Sequence, residues 1–418
     1  MKRFHFNKLL LVALYSGIAI TACGDNVAPK KELNVKTMTL VEQAEKIAQN
    51  TLIIDTHIDV PYRLEHKFED VSLATQEGDF DYPRAVKGGL NAPFMSIYIP
   101  AKLQKTGGSK ALANKLIDDV ENIVKQSPDK FALAYSTVQI KENFAKGIIS
   151  LPMGMENGSA IEGELANLQH FYNRGIRYIT LAHSKTNHIS DSSYDENKPA
   201  QGLTDFGKEL IIAMNNIGVM VDISHVSDQA FYQVMQLSKV PVIASHSSAR
   251  HFTPGFERNM SDDMIKLLAK NGGVIQMTFS GIFTSQKFRE QSAAYNVAKA
   301  NYIKENNLNE ELATDTAKIN AFEKTYEQNT PYDVGTLALV LDHFEHVINL
   351  VGIDHVGIGS DFDGVSGILP ETLKDVASYP NLITGLLERG YSEMDIEKLL
   401  SGNIMRVWQQ VEEYARKH

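Results

Sequence analysis

Two side chains able to bind a metal ion, His57 and Asp59, directly follow a short apolar run near the start of the chain. If the chain is extended here, both side chains point to the same face, because residues i and i+2 of a strand do so. An imidazole and a carboxylate aimed at one point are typical of a site for a divalent metal. Taken alone, two such residues are more often a hydrogen-bonded pair at a strand end. Further candidate ligands elsewhere in the chain are needed to distinguish a metal site from a hydrogen-bonded pair.

Further side chains of the same two kinds come at or just after other apolar runs, namely Glu156, His183, His225, His246 and Asp361. Imidazole and carboxylate donors without thiolate favour Zn²⁺, with Mn²⁺, Co²⁺ or Fe²⁺ as alternatives, and exclude a structural four-cysteine zinc site. We therefore expect a catalytic metal centre.

The number of candidate ligands indicates two metal ions. A single catalytic zinc takes three protein ligands and keeps one position open, whereas a larger set suits two ions that share a carboxylate. We expect His57 and Asp59 on the first ion, His225 and His246 on the second, and Glu156 as the bridge. Ions about 3.5 to 4 Å apart lower the pKa of a water held between them from about 15.7 towards 7, which supplies a metal-bridging hydroxide as nucleophile.

The elements that must position these residues are eight β-rich apolar runs, at residues 52–55, 93–98, 148–154, 176–181, 218–223, 240–244, 273–279 and 355–359. Helical patterns separate most of them, for example an apolar residue at every fourth position across 112–124. This alternation predicts an α/β fold, a (β/α)₈ TIM-like barrel, with a doubly wound open sheet as the alternative. The candidate residues would then share the carboxyl edge of the barrel, where barrel enzymes place their active sites.

Residues 284–332 break the alternation after the seventh strand. They are polar and rich in Lys, Glu, Asn and Ala, which predicts inserted helices. A solvated excursion, a lid over the site and a contact between two subunits of a homodimer are the roles open to them. We expect residues 42–418 to form one metallohydrolase domain that contains this insertion.

The composition limits the partners that the protein can have. The chain has 418 residues and a formal net charge of −10, without a dense run of Lys and Arg. Because phosphate backbones are bound by concentrated positive charge, we expect no nucleic-acid partner. The length is ample for a large buried core.

The first 22 residues resemble a bacterial lipoprotein signal. Lys2, Arg3 and Lys8 precede the apolar residues 9–20, and the segment ends at Cys23, the single cysteine of the chain. A plain secretory peptide is the alternative. Acyl chains on Cys23 contribute roughly 0.8 kcal/mol per CH₂ buried in the bilayer, so two or more would hold the protein there. We expect residues 23–41 to be a polar tether and the enzyme to be extracytoplasmic, lipid-anchored to a bacterial membrane, periplasmic or outer.

A series of short motifs runs along nearly all of residues 52–408. They are Asp-Thr-His-Ile-Asp at 55–59, Gly-Met-Glu-Asn at 154–157, Leu-Ala-His-Ser at 181–184, Gly-Leu-Thr-Asp-Phe-Gly at 202–207, Met-Val-Asp-Ile-Ser-His-Val-Ser at 220–227, Ala-Ser-His-Ser-Ser-Ala-Arg at 244–250, Arg-Asn at 258–259, Ile-Gly-Ser-Asp-Phe-Asp-Gly at 358–364 and Gly-Asn at 402–403. Together they resemble the membrane dipeptidase (renal dipeptidase) family, zinc peptidases of the amidohydrolase superfamily. The resemblance implies a (β/α)₈ barrel, two zinc ions and hydrolysis of dipeptides, with a D-residue tolerated at the C-terminal position.

The resemblance also implies the roles of individual residues. It assigns the same five ligands, with Glu156 as the bridge. His183 would bind substrate, polarise the scissile carbonyl and stabilise the oxyanion. Asp361 would move a proton from the attacking water to the leaving amine, and Arg258 would pair with the terminal carboxylate of the substrate.

The chain also departs from the family pattern. Ile58 stands where Asn is common, which should matter little because that side chain faces away from the metals. Phe279 replaces a tyrosine expected at the substrate, and the insertion has no mammalian counterpart. An N-acyl amino acid deacetylase or a lactonase therefore remains an alternative, and a lipoprotein that binds a small molecule without chemistry is a third. Four residues near the motifs are candidates for structural or supporting positions: His188, His251, Asp222 and Asp363.

Overall fold

The structure is a computed structural model that describes residues 38–309 and 312–418. The predicted signal, Cys23 and most of the predicted tether lie outside the described residues. No helix within the described ranges is long and apolar enough to cross a membrane.

The barrel is built from parallel strands. The described residues form β1 Ile54–Ile58, β2 Ala92–Tyr98, β3 Phe131–Leu133, β4 Ile149–Leu151, β5 Met153–Glu156, β6 Ile176–Thr180, β7 Met220–Asp222, β8 Ile243–Ser247, β9 Val274–Met277 and β10 Val356–Ile358. Eight of these strands form one sheet in the order β1-β2-β5-β6-β7-β8-β9-β10. The chain after β10 returns to β1, where the Asp59 amide donates to the Phe362 carbonyl at 2.9 Å and the Asp361 amide to the His57 carbonyl at 3.2 Å. The predicted TIM-like barrel is therefore confirmed.

The third predicted strand is two strands rather than one. Residues 149–151 pair with β3 in a small separate sheet, whereas β5 pairs with β2 and β6 in the barrel. Pro152 lies between the two, and a residue without an N–H cannot continue a hydrogen-bond ladder. As a result Glu156 is the last residue of its barrel strand. His57 and His246 also lie inside their strands rather than beyond them.

Helices surround the barrel, and most of those on its flank begin at a Ser, Thr or Asp cap. They are α1 Leu40–Asn50, α2 Val60–His66, α3 Tyr82–Gly88, α4 Leu103–Thr106, α5 Ser109–Gln126, α6 Thr137–Ala145, α7 Leu165–Asn173, α8 Asp205–Ile217, α9 Asp228–Leu237, α10 Asp262–Lys270, α11 Gly281–Thr284, α12 Gln286–Glu305, α13 Ala313–Asn329, α14 Leu337–Val351, α15 Tyr379–Glu388, α16 Glu393–Glu397 and α17 Asn403–Ala415. Short 3₁₀ turns lie at Gly158–Ile161, Arg250–Phe252, Ile353–His355, Glu371–Leu373 and Val376–Ser378, and a π turn at Lys398–Gly402. Ser261 caps α10, since its side chain accepts the N–H of Met264.

Helix α1 begins inside the segment that we expected to be tether. Thr39 and Glu42 form a capping box that fixes its first turn. The folded region described here therefore starts a few residues before residue 42.

The helical insertion after the seventh barrel strand is confirmed. Helices α11, α12 and α13 lie between β9 and α14. The rings of Tyr302 and Phe322 stack at 4.4 Å between α12 and α13, and the Tyr295 hydroxyl donates to Glu323 at 2.6 Å. The two long helices thus form a hairpin with an aromatic seam. Its role as a lid or as a dimer contact stays a prediction.

An aromatic floor closes the barrel beneath its carboxyl edge. Phe94 packs against Tyr178 at 5.5 Å and against Trp408 of α17 at 5.3 Å, measured between ring centroids. All three rings are fully buried. Large buried rings stabilise the core more than small side chains would. Because these rings fill one end of the barrel, the opposite, carboxyl end is free to form a site.

Candidate metal centre and active site

Glu156 lies between two groups of predicted ligands. Its Oε1 is 3.2 Å from Nε2 of His225 and 3.2 Å from Nε2 of His246. Its Oε2 is 3.6 Å from Nε2 of His57, which in turn lies 3.4 Å from Oδ2 of Asp59. The structure therefore brings all five predicted ligands together, although they come from four different barrel strands or strand ends.

Tyr178 fixes the proton of His57. The Tyr178 hydroxyl donates to the Thr56 carbonyl at 3.0 Å, so it can only accept from Nδ1–H of His57, at 2.9 Å. Nε2 of His57 faces the carboxylates of Asp59 and Glu156 and has no hydrogen-bond partner among the described residues. Burial would lower the pKa of His57, but Tyr178, Glu156 and Asp59 outweigh it and raise the pKa well above its usual value, so without a metal Nε2 also holds a proton. A site that draws a positive charge to Nε2 beside two carboxylates fits a metal cation in place of that proton.

Asp222 and Ser245 do the same for His246. The Ser245 hydroxyl donates to Oδ2 of Asp222 at 2.6 Å and therefore accepts from Nδ1–H of His246 at 2.8 Å. Nε2 of His246 is left with its lone pair towards Glu156. Asp222, which we expected in a supporting position, is fully buried and also accepts the Ser245 and Ser224 amides.

The electrostatics of the cluster favour a bound cation. Burial alone would raise the pKa of Glu156, but His183, His57, His225 and His246 outweigh it and hold the pKa well below its usual range. Burial lowers the pKa of His225 and of His246 well below their usual value, and neighbouring positive charge lowers both further. The carboxylate is thus ionised while these two imidazoles are neutral, which is the protonation state that metal ligands need.

Two site residues adopt a backbone conformation that is unusual for side chains other than glycine. The φ angles of His225 and Asp361 are both 68°. Such conformations cost roughly 1 to 3 kcal/mol each and concentrate at functional sites. At both positions the turn redirects the chain as it leaves a strand, so that the side chain faces the cluster.

The cluster forms the base of a cavity of about 440 Å³. Its remaining wall includes Tyr62, Tyr98, Tyr194 and Phe283, none of which we predicted. Tyr98 is the last residue of β2, so its strand-end position could have indicated it. The other three lie on helices or loops, where no sequence pattern points to the cavity. Close approach also requires Gly364, since a Cβ there would collide with the carboxylates of Asp59 and Asp361.

Phe279 does not face the cavity. It is fully buried, packs edge-on against Phe362 at 5.7 Å and is absent from the described residues that line the cavity. Our expectation that its missing hydroxyl alters the substrate-facing wall is therefore wrong. The residue lies just after β9, but its side chain is part of the hydrophobic core.

His183 and Asp361 both line the cavity. Nε2 of His183 is 3.6 Å from Oε1 of Glu156, and its ring lies 4.8 Å from Tyr98. Asp361 has a ligand atom within 4.8 Å of both His57 and His246. Burial raises the pKa of Asp361 well above its usual range; His57 opposes this, whereas Asp59 and Glu156 add to it. A carboxyl that readily takes up a proton thus faces the cluster.

Arg258 lies behind the cavity wall. Its guanidinium donates to the Ser247 hydroxyl at 2.7 Å and to the His246 carbonyl at 2.6 Å, and Nη2 lies 3.1 Å from Nε2 of His225. The side chain is buried and its Cζ lies 5.0 Å from the ring centre of Phe283. Arg258 is next to the cluster, but among the described residues it does not line the cavity.

The other candidates for supporting positions have separate surroundings. Asp363 accepts the Asp79 amide at 2.5 Å and lies 3.4 Å from Arg63, and burial raises its pKa to about 7. His188 packs against Phe206 and His251 against His346. Only Asp363 of these lines the cavity within the described part of the chain.

Comparison with known proteins decides the family. The model of the membrane dipeptidase family (peptidase family M19) matches residues 41–418. The chain belongs to this family. It is therefore a metallo-dipeptidase, a hydrolase, as the motifs predicted, and its cluster of His, Glu and Asp side chains is able to bind metal.

Individual relatives support this assignment. The metallo-dipeptidase is 31% identical over 388 residues to Dipeptidase 3 of Mus musculus, covering 90% of this chain and 68% of the mouse protein. The probable dipeptidase PvdM of Pseudomonas aeruginosa superposes with a TM-score of 0.76 at 25% identity, covering 90% of this chain and 99% of that one. A metallo peptidase from Rhodobacter sphaeroides, liganded with a phosphinate mimic of the dipeptide L-Ala-D-Ala, has the same fold, with a TM-score of 0.69 at 23% identity and coverage of 87% and 100%.

Proposed function

We propose that this enzyme is a binuclear zinc dipeptidase that hydrolyses the amide bond of dipeptides and tolerates a D-residue at the C-terminal position. The observation that carries the proposal is the position of Glu156. One of its oxygens is 3.2 Å from both His225 and His246, and the other faces His57. A carboxylate placed between two groups of donors suits two ions. The phosphinate mimic of L-Ala-D-Ala bound by the Rhodobacter sphaeroides relative supports the substrate class.

The residues that would hold the ions are His57, Asp59, Glu156, His225 and His246. When bound, zinc ions supply Lewis-acid activation of water and of the scissile carbonyl. Tyr178 and Ser245 hold the imidazoles of His57 and His246 in the tautomers that ligation needs.

The remaining polar residues of the site bind substrate and move protons. Asp361, whose pKa burial raises, accepts a proton from the attacking water and passes it to the leaving amine. His183 donates to the carbonyl oxygen as negative charge develops there, since it lines the cavity beside Glu156. We expect Arg258 to pair with the terminal carboxylate of the substrate through its two-pronged guanidinium, which must first turn towards the cavity from its bonds to Ser247 and to the His246 carbonyl. A cavity of about 440 Å³ falls within the usual range for small ligands, roughly 300 to 1,000 Å³.

The decisive experiment combines metal analysis with a substrate panel. Purified enzyme should contain about two zinc ions per chain by mass spectrometry, as a two-ion site requires. It should cleave L,L- and L,D-dipeptides and lose activity on exhaustive chelation. Full activity after chelation would overturn the metal mechanism. If N-acyl amino acids or lactones were hydrolysed faster than any dipeptide, the enzyme would be a deacetylase or a lactonase instead. If metal-loaded protein hydrolysed none of these substrates, the protein would be a lipoprotein that binds a small molecule without chemistry.

We also propose that Cys23 anchors the enzyme by acylation to the outside of a bacterial membrane. The proposal rests on the sequence around Cys23, which lies outside the described residues. Cys23→Ala should move the enzyme from the detergent phase to the aqueous phase while the turnover of solubilised protein stays unchanged. Wild-type enzyme that partitions into the aqueous phase would contradict the anchor.

A further inference from the structure

A second group of metal-binding side chains lies outside the cavity. His251 belongs to the 3₁₀ turn after β8, Asp262 is the first residue of α10, and His346 lies in the middle of α14. Each offers one ligand atom, and these atoms lie within 4.8 Å of one another. Three elements that are distant in sequence therefore bring two imidazoles and one carboxylate to the same point on the barrel flank.

The three side chains are already partly held in place. Nε2 of His346 lies 2.7 Å from Oδ1 of Asp262. The ring of His251 stacks on that of His346, with centroids 4.4 Å apart and planes inclined by 20°. Phe252 packs edge-on against His346 at 5.7 Å and supports the pair from one side. His251 is exposed, and the other two are partly exposed, so an ion from solution can reach them.

The donor set identifies the class of ion. Two imidazoles with one carboxylate are ligands for Zn²⁺ and for other divalent transition metals, whereas Mg²⁺ and Ca²⁺ take oxygen ligands. With bonds of about 2.0 to 2.2 Å, neighbouring ligand atoms of a tetrahedral zinc lie roughly 3.3 Å apart. The Asp262 and His346 atoms lie 2.7 Å apart, so they must move slightly apart to bind an ion, and the exposed side chain of His251 can rotate to complete the set.

We propose that His251, Asp262 and His346 form a peripheral site for one divalent transition-metal ion such as Zn²⁺, separate from the catalytic centre. The site would tie the segment after β8 to α14. That segment, residues 248–261, carries Arg258 and already contacts α14, since the Ala249 amide donates to Nδ1 of His343 at 3.1 Å. An ion at this site would therefore restrict the motion of the loop from which Arg258 reaches the cluster.

The first test counts ions in the full chain. Wild-type enzyme, its His251→Ala, His346→Ala and Asp262→Asn variants, and a His66→Ala control are dialysed against 10 micromolar free Zn²⁺, on the order expected to saturate a three-ligand site. His66 is an exposed histidine bonded only to the Tyr62 carbonyl among the described residues. Wild type and His66→Ala should each hold one ion more than His251→Ala and His346→Ala. This difference does not depend on how many ions the catalytic centre holds, so it is independent of the proposed function.

The second test measures the loop itself. Addition of Zn²⁺ to enzyme whose catalytic centre is already loaded should slow amide hydrogen exchange in residues 249–259 severalfold, and His346→Ala should abolish this slowing. Equal zinc contents in wild type and in all three variants would overturn the proposal. Binding that requires millimolar Zn²⁺, or an extra ion that leaves the exchange of the loop unchanged, would equally overturn it and reduce the cluster to an ordinary His–Asp pair.

Discussion

The Nε2 atoms of His225 and His246 lie 2.8 Å apart. His246 carries its proton on Nδ1, so a proton or a cation must lie between its Nε2 and that of His225. Without a metal, a neutral His225 can fill this role by donating from Nε2, whereas a bound cation would take the lone pairs of both nitrogens. Glu156, 3.2 Å from both nitrogens, adds the negative charge that makes a divalent cation the favoured partner.

Replacement of Glu156 by glutamine should therefore abolish both metal occupancy and turnover. Glutamine keeps the shape but loses the charge that faces His225, His246 and His57. Loss of a residue that hydrogen-bonds to a metal ligand lowers metal affinity or activity about 10- to 100-fold. Glu156 is expected to be a ligand of both ions, so its loss should lower both quantities more than about 100-fold. Zinc content and kcat/KM measured on the same preparation test this.

The control for this substitution is Glu164→Gln, at an exposed glutamate that precedes α7. It should keep wild-type zinc content and turnover. A Glu156→Gln enzyme that retains both ions and most of its activity would show that the carboxylate is a structural acceptor rather than a ligand.

Much of this site could be predicted from sequence because its ligands lie at strand ends. His57, Glu156, His225 and His246 each fall at the end of an apolar run, and parallel strands bring such ends to one edge. Apart from Asp222, which lies in one of the motifs, the supporting residues gave no comparable signal. Tyr178 lies inside a strand, and only the fold shows that its hydroxyl meets His57.

Errors at strand boundaries and at Phe279 have a physical origin as well. Residues 148–154 are predicted as one strand because they are almost all apolar. In the structure the chain passes at Pro152 from the small sheet to the barrel sheet, and apolar composition gives no sign of this change. Phe279 follows a barrel strand, as site residues do, but its ring is fully buried and packs edge-on against Phe362. Sequence position sets the edge on which a residue lies, whereas packing of distant segments sets the direction of its side chain.

Replacement of Ser245 by alanine should weaken metal binding without changing chemistry. The Ser245 hydroxyl links His246 to Asp222, and its loss frees the imidazole to rotate or to change tautomer. We expect metal affinity to fall by about 10- to 100-fold, while kcat at saturating Zn²⁺ stays within a few-fold of wild type. Competition with a chelating dye measures the affinity.

Ser248→Ala is the matched control for this effect. Ser248 is equally buried and lies three residues along the same segment, but its hydroxyl has no hydrogen-bond partner among the described residues. It should leave metal affinity unchanged. If both serine variants lost affinity to the same extent, general destabilisation of the segment would explain the result, and the link to His246 would be refuted.

Arg258→Met should discriminate between substrates that differ only at the C-terminus. If the guanidinium pairs with a terminal carboxylate, the variant loses a charged hydrogen bond of about 1.5 to 3 kcal/mol, so kcat/KM for a free dipeptide falls about 10- to 150-fold. The corresponding dipeptide amide lacks the charge and should show a much smaller loss. Steady-state kinetics with both substrates at saturating Zn²⁺ measure the difference.

Equal losses for the free dipeptide and its amide would assign Arg258 to structure instead. That outcome is physically distinct, because the side chain also donates to Ser247 and to the His246 carbonyl. Zinc content must be measured in parallel, so that loss of ions is separated from loss of substrate contact.

His343 should make the metal-free enzyme sensitive to mild acid. Burial lowers the pKa of His343 to about 4, against the 6.5 of an unperturbed histidine, although its hydrogen bond to the Thr284 carbonyl opposes the shift. Between these values the unfolded chain binds more protons than the folded one, so the free energy of unfolding falls as the pH is lowered. The contribution from pH 7 to pH 5 is about 2 kcal/mol.

Comparison of wild type with His343→Gln isolates this contribution. Glutamine cannot titrate, so the variant should be less stable at pH 7 but should lose about 2 kcal/mol less than wild type between pH 7 and pH 5. Urea unfolding at a series of pH values in the presence of a chelator measures both curves. His66→Gln, at an exposed position, should keep the wild-type dependence. Parallel curves for wild type and His343→Gln would mean that His343 titrates normally, and that water reaches it between α14 and the segment after β8.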